Sequence, residues 1–203
     1  MIDLIYRPIA YLSIKLSDGS SQKFDLDIKI PFYIALGISI ILIILNYFDN
    51  SINIFGKENN LLSPIISFYQ AMPGFYIAAL AAIATFPSAS MNKAMPEPTP
   101  YLLIDSKLED KSTNRDYLSR RRFLCYMFAY LAFISIIFFF IAIIFNFAYS
   151  FSLLNLSELL FIAGYFISCL IVSFIVLQTI FITFLGLWYL GHRIHLNDNC
   201  DDD

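Results

Sequence analysis

The stretch FLCYMFAYLAFISIIFFFIAIIFNF, residues 123–147, runs for 25 residues without a charged side chain. It follows directly on Arg120-Arg121-Arg122. A helix rises about 1.5 Å per residue, so roughly 20 apolar residues cross the hydrocarbon core of a bilayer, which is about 30 Å thick. Inside lipid every backbone N–H needs a partner within its own segment, and for an open chain only the helix supplies one. The stretch therefore predicts a transmembrane helix with three cations at its entry.

Three further runs repeat this pattern. Ile30–Phe48, Leu61–Phe86 and Leu159–Tyr189 extend for 19, 26 and 31 residues without Asp, Glu, Lys, Arg or His. The whole chain of 203 residues is 59% hydrophobic and 14% charged. Soluble domains carry about 25% charged residues, so the composition excludes an ordinary water-soluble globule. The expected fold class is an all-α membrane protein: four transmembrane helices with a small cytoplasmic β-rich cap. Pro31 and Pro64 are read as first-turn prolines, Ser63 as an N-cap, and Asn155 with Glu158 as a capping box before the fourth run. Pro73-Gly74 is expected to kink or interrupt the second helix. Met1–Tyr6 lacks the basic start and small-residue cleavage site of a signal peptide, so the first run is expected to be retained.

Lysine and arginine set the expected orientation. Arg7, Lys15, Lys23 and Lys29 precede the first run. Lys93, Lys107, Lys111, Arg115, Arg120, Arg121 and Arg122 lie between the second and third, and Arg193 follows the fourth. The other side holds Lys57 alone, a ratio of twelve to one. The positive-inside rule then puts both termini and the central loop in the cytoplasm, with Trp188 and Tyr189 at the inner headgroup level. The expected order is a cytoplasmic β-hairpin in 1–29, transmembrane helices 1 and 2 in 30–86, a cytoplasmic basic loop in 87–122, transmembrane helices 3 and 4 in 123–189, and an acidic cytoplasmic tail in 190–203.

The hairpin is read from alternation. Leu12, Ile14 and Leu16 alternate with Ser13 and Lys15, and Phe24, Leu26, Ile28 and Ile30 with Asp25, Asp27 and Lys29; Asp18-Gly19-Ser20 supplies the turn. Tyr101–Ile104 is expected as a third strand, because two strands alone are marginal in water.

No GxSxG, Walker, HExxH or GxGxxG motif is present, and no charged residue lies inside the four runs. An enzyme is not expected, nor is a cofactor. His192 and His195 share a helix face, but Cys200 lies five residues further on among tail aspartates, so no metal site is expected. Lys107, Lys111, Arg115, Arg120, Arg121 and Arg122 are the expected contacts to membrane lipid or to an acidic partner, with a topological anchor as the plainer role of the arginine triplet. Residues 87–122 carry a net charge of only +2, so direct nucleic-acid binding is not expected. Gly164, Ser168, Thr179, Thr183 and Gly186 fall in a helical stripe about 100° wide. Gly74, Ala78 and Ala82 recur every fourth residue. Small residues at such spacing let helices approach closely in lipid, within one bundle or between copies in a homo-oligomer.

The length, the four spans and the residues around Phe68-Tyr69-Gln70-Ala71-Met72-Pro73-Gly74 and Arg120-Arg121-Arg122-Phe123 resemble the membrane subunit, KwaA, of the bacterial Kiwa anti-phage defence system. The resemblance implies a non-enzymatic membrane sensor that assembles as an oligomer. It would hold a soluble KwaB-like effector at the inner membrane. The alternative is an oligomeric pore-forming effector that depolarises the membrane, which requires a polar stripe at an oligomer axis.

Overall fold

A computed structural model describes residues 7–48, 54–55, 60–85, 87, 90–95, 97–104, 114–150 and 158–193. Four of the described helices are long and apolar enough to cross a membrane. Helix α1 runs unbroken from Gln22, as an α-turn Gln22–Phe24, a π-turn Asp25–Lys29 and an α-helix Ile30–Phe48. Helices α2, α3 and α4 are Leu62–Thr85, Arg120–Ser150 and Glu158–Trp188, the last continuing into a π-turn Tyr189–Arg193. Apart from the start of α1, eight residues before Ile30, these match the four apolar runs to within a few residues.

Helices α3 and α4 form the centre. Helix α2 packs along α3, α1 along α4, and α3 against α4. One apolar core, at the end where α1 starts, gathers Tyr11, Met127, Tyr130, Leu131, Ile182 and Tyr189. The second, at the far end, gathers Phe55, Leu62, Tyr69, Phe138, Cys169 and Val172. Phe68, Phe75, Phe140, Ile144, Ile162 and Phe184 point outward and are exposed. Such a continuous apolar exterior suits hydrocarbon and would be an aggregation hazard in water. Trp188 is half-exposed, whereas Tyr189 is buried against Phe123, so only the first of this expected aromatic pair faces outward.

Three expectations about helix starts change. The run 24–30 is helical, not the second strand of a hairpin. Its alternation also carries Lys23/Asp27 and Asp25/Lys29 ion pairs at i, i+4, at 2.7 Å and 2.6 Å, a spacing that serves a helix. Continuity with the span favours the helix, and the turn at Asp18–Ser20, with Gly19 at φ 69°, joins a strand to it. Pro31 therefore lies inside a helix, not in its first turn. Asn60, not Ser63, caps α2: its Oδ1 accepts from the Ser63 N–H at 2.7 Å, while its Nδ2 donates to Asn146 at 2.9 Å. Helix α2 continues through Pro73 without interruption. The Asn155 capping position lies outside the described residues.

The sheet is real but assembled otherwise. Strand β1 is Lys15–Leu16, β2 is Pro100–Ile104 and β3 is Asn114–Tyr117, in the order β1-β2-β3. Both pairings are antiparallel, with Lys15 opposite Tyr101 and Tyr101 opposite Tyr117. Tyr101–Ile104 is thus the expected central-loop strand, and it pairs with β1 in place of residues 24–30. A 3-10 turn, Arg7–Ser13, leads into β1 and packs on α3.

Candidate functional site at the basic end

The end of the bundle that carries the sheet also carries a buried polar cluster built from four chain segments. Its origin is local. Pro31 has no N–H to return to the carbonyl four residues back, that of Asp27, and a buried orphan carbonyl needs another donor. Gln178 Nε2 on α4 donates to that carbonyl at 3.1 Å. Tyr130 on α3 donates its hydroxyl to Gln178 Oε1 at 3.0 Å. The π-turn accommodates the mismatch, a local feature that recurs at functional sites.

The Asp27 carboxylate lies inside this cluster, 2% exposed. Lys23 Nζ donates to Asp27 Oδ2 at 2.7 Å and to the Tyr11 carbonyl at 3.0 Å, and sits 4.0 Å from the Tyr11 ring centre. The Tyr11 hydroxyl donates to Asp27 Oδ1 at 3.4 Å, and its ring stacks on Tyr130 with centroids 5.4 Å apart. Burial, with the Asp27 charge adding to it, pushes the Tyr11 phenol well above its usual pKa. Tyr130 lies ten residues into α3, about 15 Å along the helix. The first apolar helix begins at Gln22 and so includes Lys23, Asp25, Asp27 and Lys29, which the run Ile30–Phe48 leaves out. Buried ionisable side chains at the start of a helix long and apolar enough to cross a membrane are costly, which makes the cluster a candidate site.

The arginine triplet divides its tasks. Arg120 is buried, and its backbone N–H donates to the Lys93 carbonyl at 3.2 Å. Arg121 donates to the Ala84 carbonyl at the end of α2 at 3.4 Å. Arg122 makes a two-pronged pair with Asp116 of β3, at 3.0 Å and 2.6 Å, and holds that carboxyl below the usual carboxylate range. The Ser119 hydroxyl accepts from the Arg122 N–H at 3.4 Å at the start of α3. Arg115 on β3 lies over the Tyr101 ring at 5.1 Å. The triplet thus ties the sheet to α2 and α3. Lys107 and Lys111 lie outside the described residues, as do His195, Cys200 and the tail aspartates. Among the described residues no group of three or more His, Cys, Asp or Glu could hold a metal ion.

The two small-residue stripes have different surroundings. On α4, Ser168 lies 3.3 Å from the Tyr149 hydroxyl and Thr183 lies 2.8 Å from that of Tyr76. Thr179 is buried, and a side chain at Gly186 would meet Met127. A Cβ at Gly164 would have Tyr149 as its neighbour. These contacts are all within the chain. On α2, by contrast, Gly74, Ala78 and Ala82 are exposed, and nothing lies within 4 Å of a Cβ built at Gly74.

At the far end, Phe55 stacks on Tyr149 at 4.9 Å and meets Tyr165 edge-on at 5.4 Å. Asn46 donates to the Tyr165 hydroxyl at 3.3 Å.

Sequence reasoning missed the Lys23–Asp27 pair, Tyr11 and Tyr130. The i, i+4 spacing of Lys23 and Asp27 was the available signal; the rest join only through the fold. Comparison with protein families, curated proteins and solved structures finds no match for this chain.

Proposed function

We propose that the protein is a non-enzymatic multi-pass membrane subunit that senses or anchors, and that its basic end faces the cytoplasm and recruits a soluble protein. One observation carries this reading: among the described residues, the structure outside the four long helices is concentrated at one end. There the N-terminal turn, the three-stranded sheet and Arg120–Arg122 are tied to one another and to the bundle. The sheet order leaves β1 and β3 as its edges, and an edge strand offers backbone groups to a partner strand. The distribution of cations supports the cytoplasmic assignment. A role in bacterial anti-phage defence, with a KwaB-like effector as the partner, follows the resemblance to the Kiwa membrane subunit. Assembly as a homo-oligomer is proposed through the exposed face of α2, where small residues permit close approach.

The test is recovery of a partner from its native host in nonionic detergent. Reversing the charge at Lys107 and Lys111 together should lower recovery, more so as salt rises, with membrane insertion checked separately. A cysteine introduced at Ser51 or Ser150 should react with an impermeant thiol reagent in sealed cells, and one at Ser112 should not. Labelling at Ser112 would reverse the orientation. Recovery of no soluble partner, together with liposome leakage caused by the purified chain alone, would replace this reading with the pore.

A further inference from the structure

A groove of about 420 Å³ opens between the N-terminal turn, α2 and α3 at the basic end. Its charged lining is Arg7 and Arg122, its apolar wall Pro8, Leu80, Cys125 and Ala129, with Tyr126 between them. Arg122 is the third residue of α3, and Leu80 lies within two turns of the end of α2. The groove therefore descends from the level where the spans begin toward hydrocarbon depth.

The charges decide what fits. Arg122 gives two of its five N–H donors to Asp116, which fixes the guanidinium without exhausting it. That pair is neutral as a unit. Arg7, exposed on the 3-10 turn, adds a net charge of +1. A phosphodiester carries one negative charge, and guanidinium groups match phosphate oxygens with directed donors. An apolar wall continuing below the cations suits an acyl chain, and the positive lining disfavours a headgroup with its own cation.

We infer that this groove holds the phosphodiester of an anionic phospholipid, with Arg7 and Arg122 on the phosphate and the chain against Leu80 and Ala129. The inference rests on the reading of the chain as a multi-pass membrane protein whose basic end meets an anionic leaflet. The lipid would then join the N-terminal turn to the α2–α3 pair.

The full-length chain, purified in nonionic detergent, is offered equal phosphatidylglycerol and phosphatidylcholine and read by native mass spectrometry. The expected result is one retained phosphatidylglycerol per chain, and a loss of about fivefold in its retention on R7Q, the effect of one interfacial cation. R7K should restore part of it, since lysine keeps the charge and loses the fork. Alkylation of Cys125, followed on its own peptide, should slow with phosphatidylglycerol and not with phosphatidylcholine. Equal retention of the two lipids, or R7Q behaving as wild type, overturns the inference. Displacement of the lipid by millimolar inorganic phosphate assigns the groove to a free phosphate and also overturns it. Release of the chain from membranes by alkaline carbonate defeats the membrane reading itself, an outcome distinct from a chain that stays inserted and shows no lipid preference.

Discussion

Replacing Asp27 by alanine removes the acceptor around which the basic-end cluster is built. The side chains of Lys23 and Asp27 are 10% and 3% exposed. An ammonium left that deep without its carboxylate is not rescued by solvent. Breaking a buried pair from one side costs about 3–5 kcal/mol, and the low end applies because Lys23 keeps the Tyr11 carbonyl and ring. The Tyr11 hydroxyl also loses its acceptor, although at 3.4 Å that bond is long and contributes little. The expected cost of Asp27→Ala is therefore about 3 kcal/mol. The exposed neighbour makes the control. Lys29 and Asp25 are 49% and 36% exposed, and Asp25→Ala should cost far less than Asp27→Ala.

The assay is SDS-driven unfolding in mixed micelles, read by the fluorescence of Trp188, the single tryptophan. The double replacement Lys23→Met with Asp27→Leu gives the sharper outcome. Removing both charges together leaves no uncompensated ion, so it should cost less than Asp27→Ala alone. Its remaining costs are the long Tyr11 hydroxyl bond, which Tyr11→Phe takes out of play in the triple variant, and the Tyr11 carbonyl that Lys23 no longer serves. A double variant that costs the sum of its singles would show that the two charges do not act as a pair. An Asp27→Ala chain within about 0.5 kcal/mol of wild type would refute the cluster outright.

The small-residue stripes separate stability from association. Gly186→Leu should destabilise the single chain by about 1–3 kcal/mol, because the added side chain meets Met127 and Phe128; unfolding in mixed micelles reads it. Gly74→Leu with Ala78→Leu should leave that stability within about 1 kcal/mol while reducing crosslinked oligomer, and an unchanged oligomer would remove α2 from the interface. The Asp116 carboxyl is lowered by Arg122, so the pair's contribution is present above the unfolded aspartate pKa and lost as pH falls through the folded value. Both partners are partly exposed, so Asp116→Asn should cost under about 1 kcal/mol at neutral pH and remove that acid-side slope from the denaturation curve. Tyr11 is raised, so the opposite sign holds: its own contribution should be flat below about pH 10 and be lost above it, so the alkaline fall should be less steep in Tyr11→Phe.

The helices were legible from their long apolar runs without a charge, and Ile30–Phe48 coincides with an α-helical segment. The start of α1 was not, because residues 24–30 satisfy a strand's alternation and a helix's i, i+4 charge pairing at once. Strand β2 was legible from Tyr101–Ile104. Strand β3, with the sequence Asn-Arg-Asp-Tyr, carries no apolar alternation and exists through its pairing with β2. The cluster was illegible for a different reason: Asp27 and Gln178 meet across 151 residues. Only Lys23 and Asp27 left a local trace. The α4 stripe was visible, but periodicity cannot say which helix a stripe faces. Tyr76, Tyr149 and Met127 decide that for Thr183, Ser168 and Gly186.

The Lys23–Asp27 pair is a poor stabiliser by comparison with well-packed apolar side chains, so its presence needs a different account. In water, burial of apolar surface would press the N-terminal turn onto the bundle. In the membrane setting proposed for this chain that drive is absent, because lipid tails are as apolar as the protein's own side chains. An apolar turn could slide along α3 at little cost. A polar cluster resists this, because sliding the turn would take the Tyr11 carbonyl and hydroxyl away from Lys23 and Asp27, which stay paired with each other on one helix. Pro31 adds a second constraint, since the Asp27 carbonyl it leaves open matches Gln178 in one register of α1 on α4. The cluster thus specifies position where hydrophobic burial cannot. It also makes that position conditional on the cluster, so a partner pulling on the N-terminal turn or on β1 would act on the packing of α1, α3 and α4 through Tyr11 and Lys23.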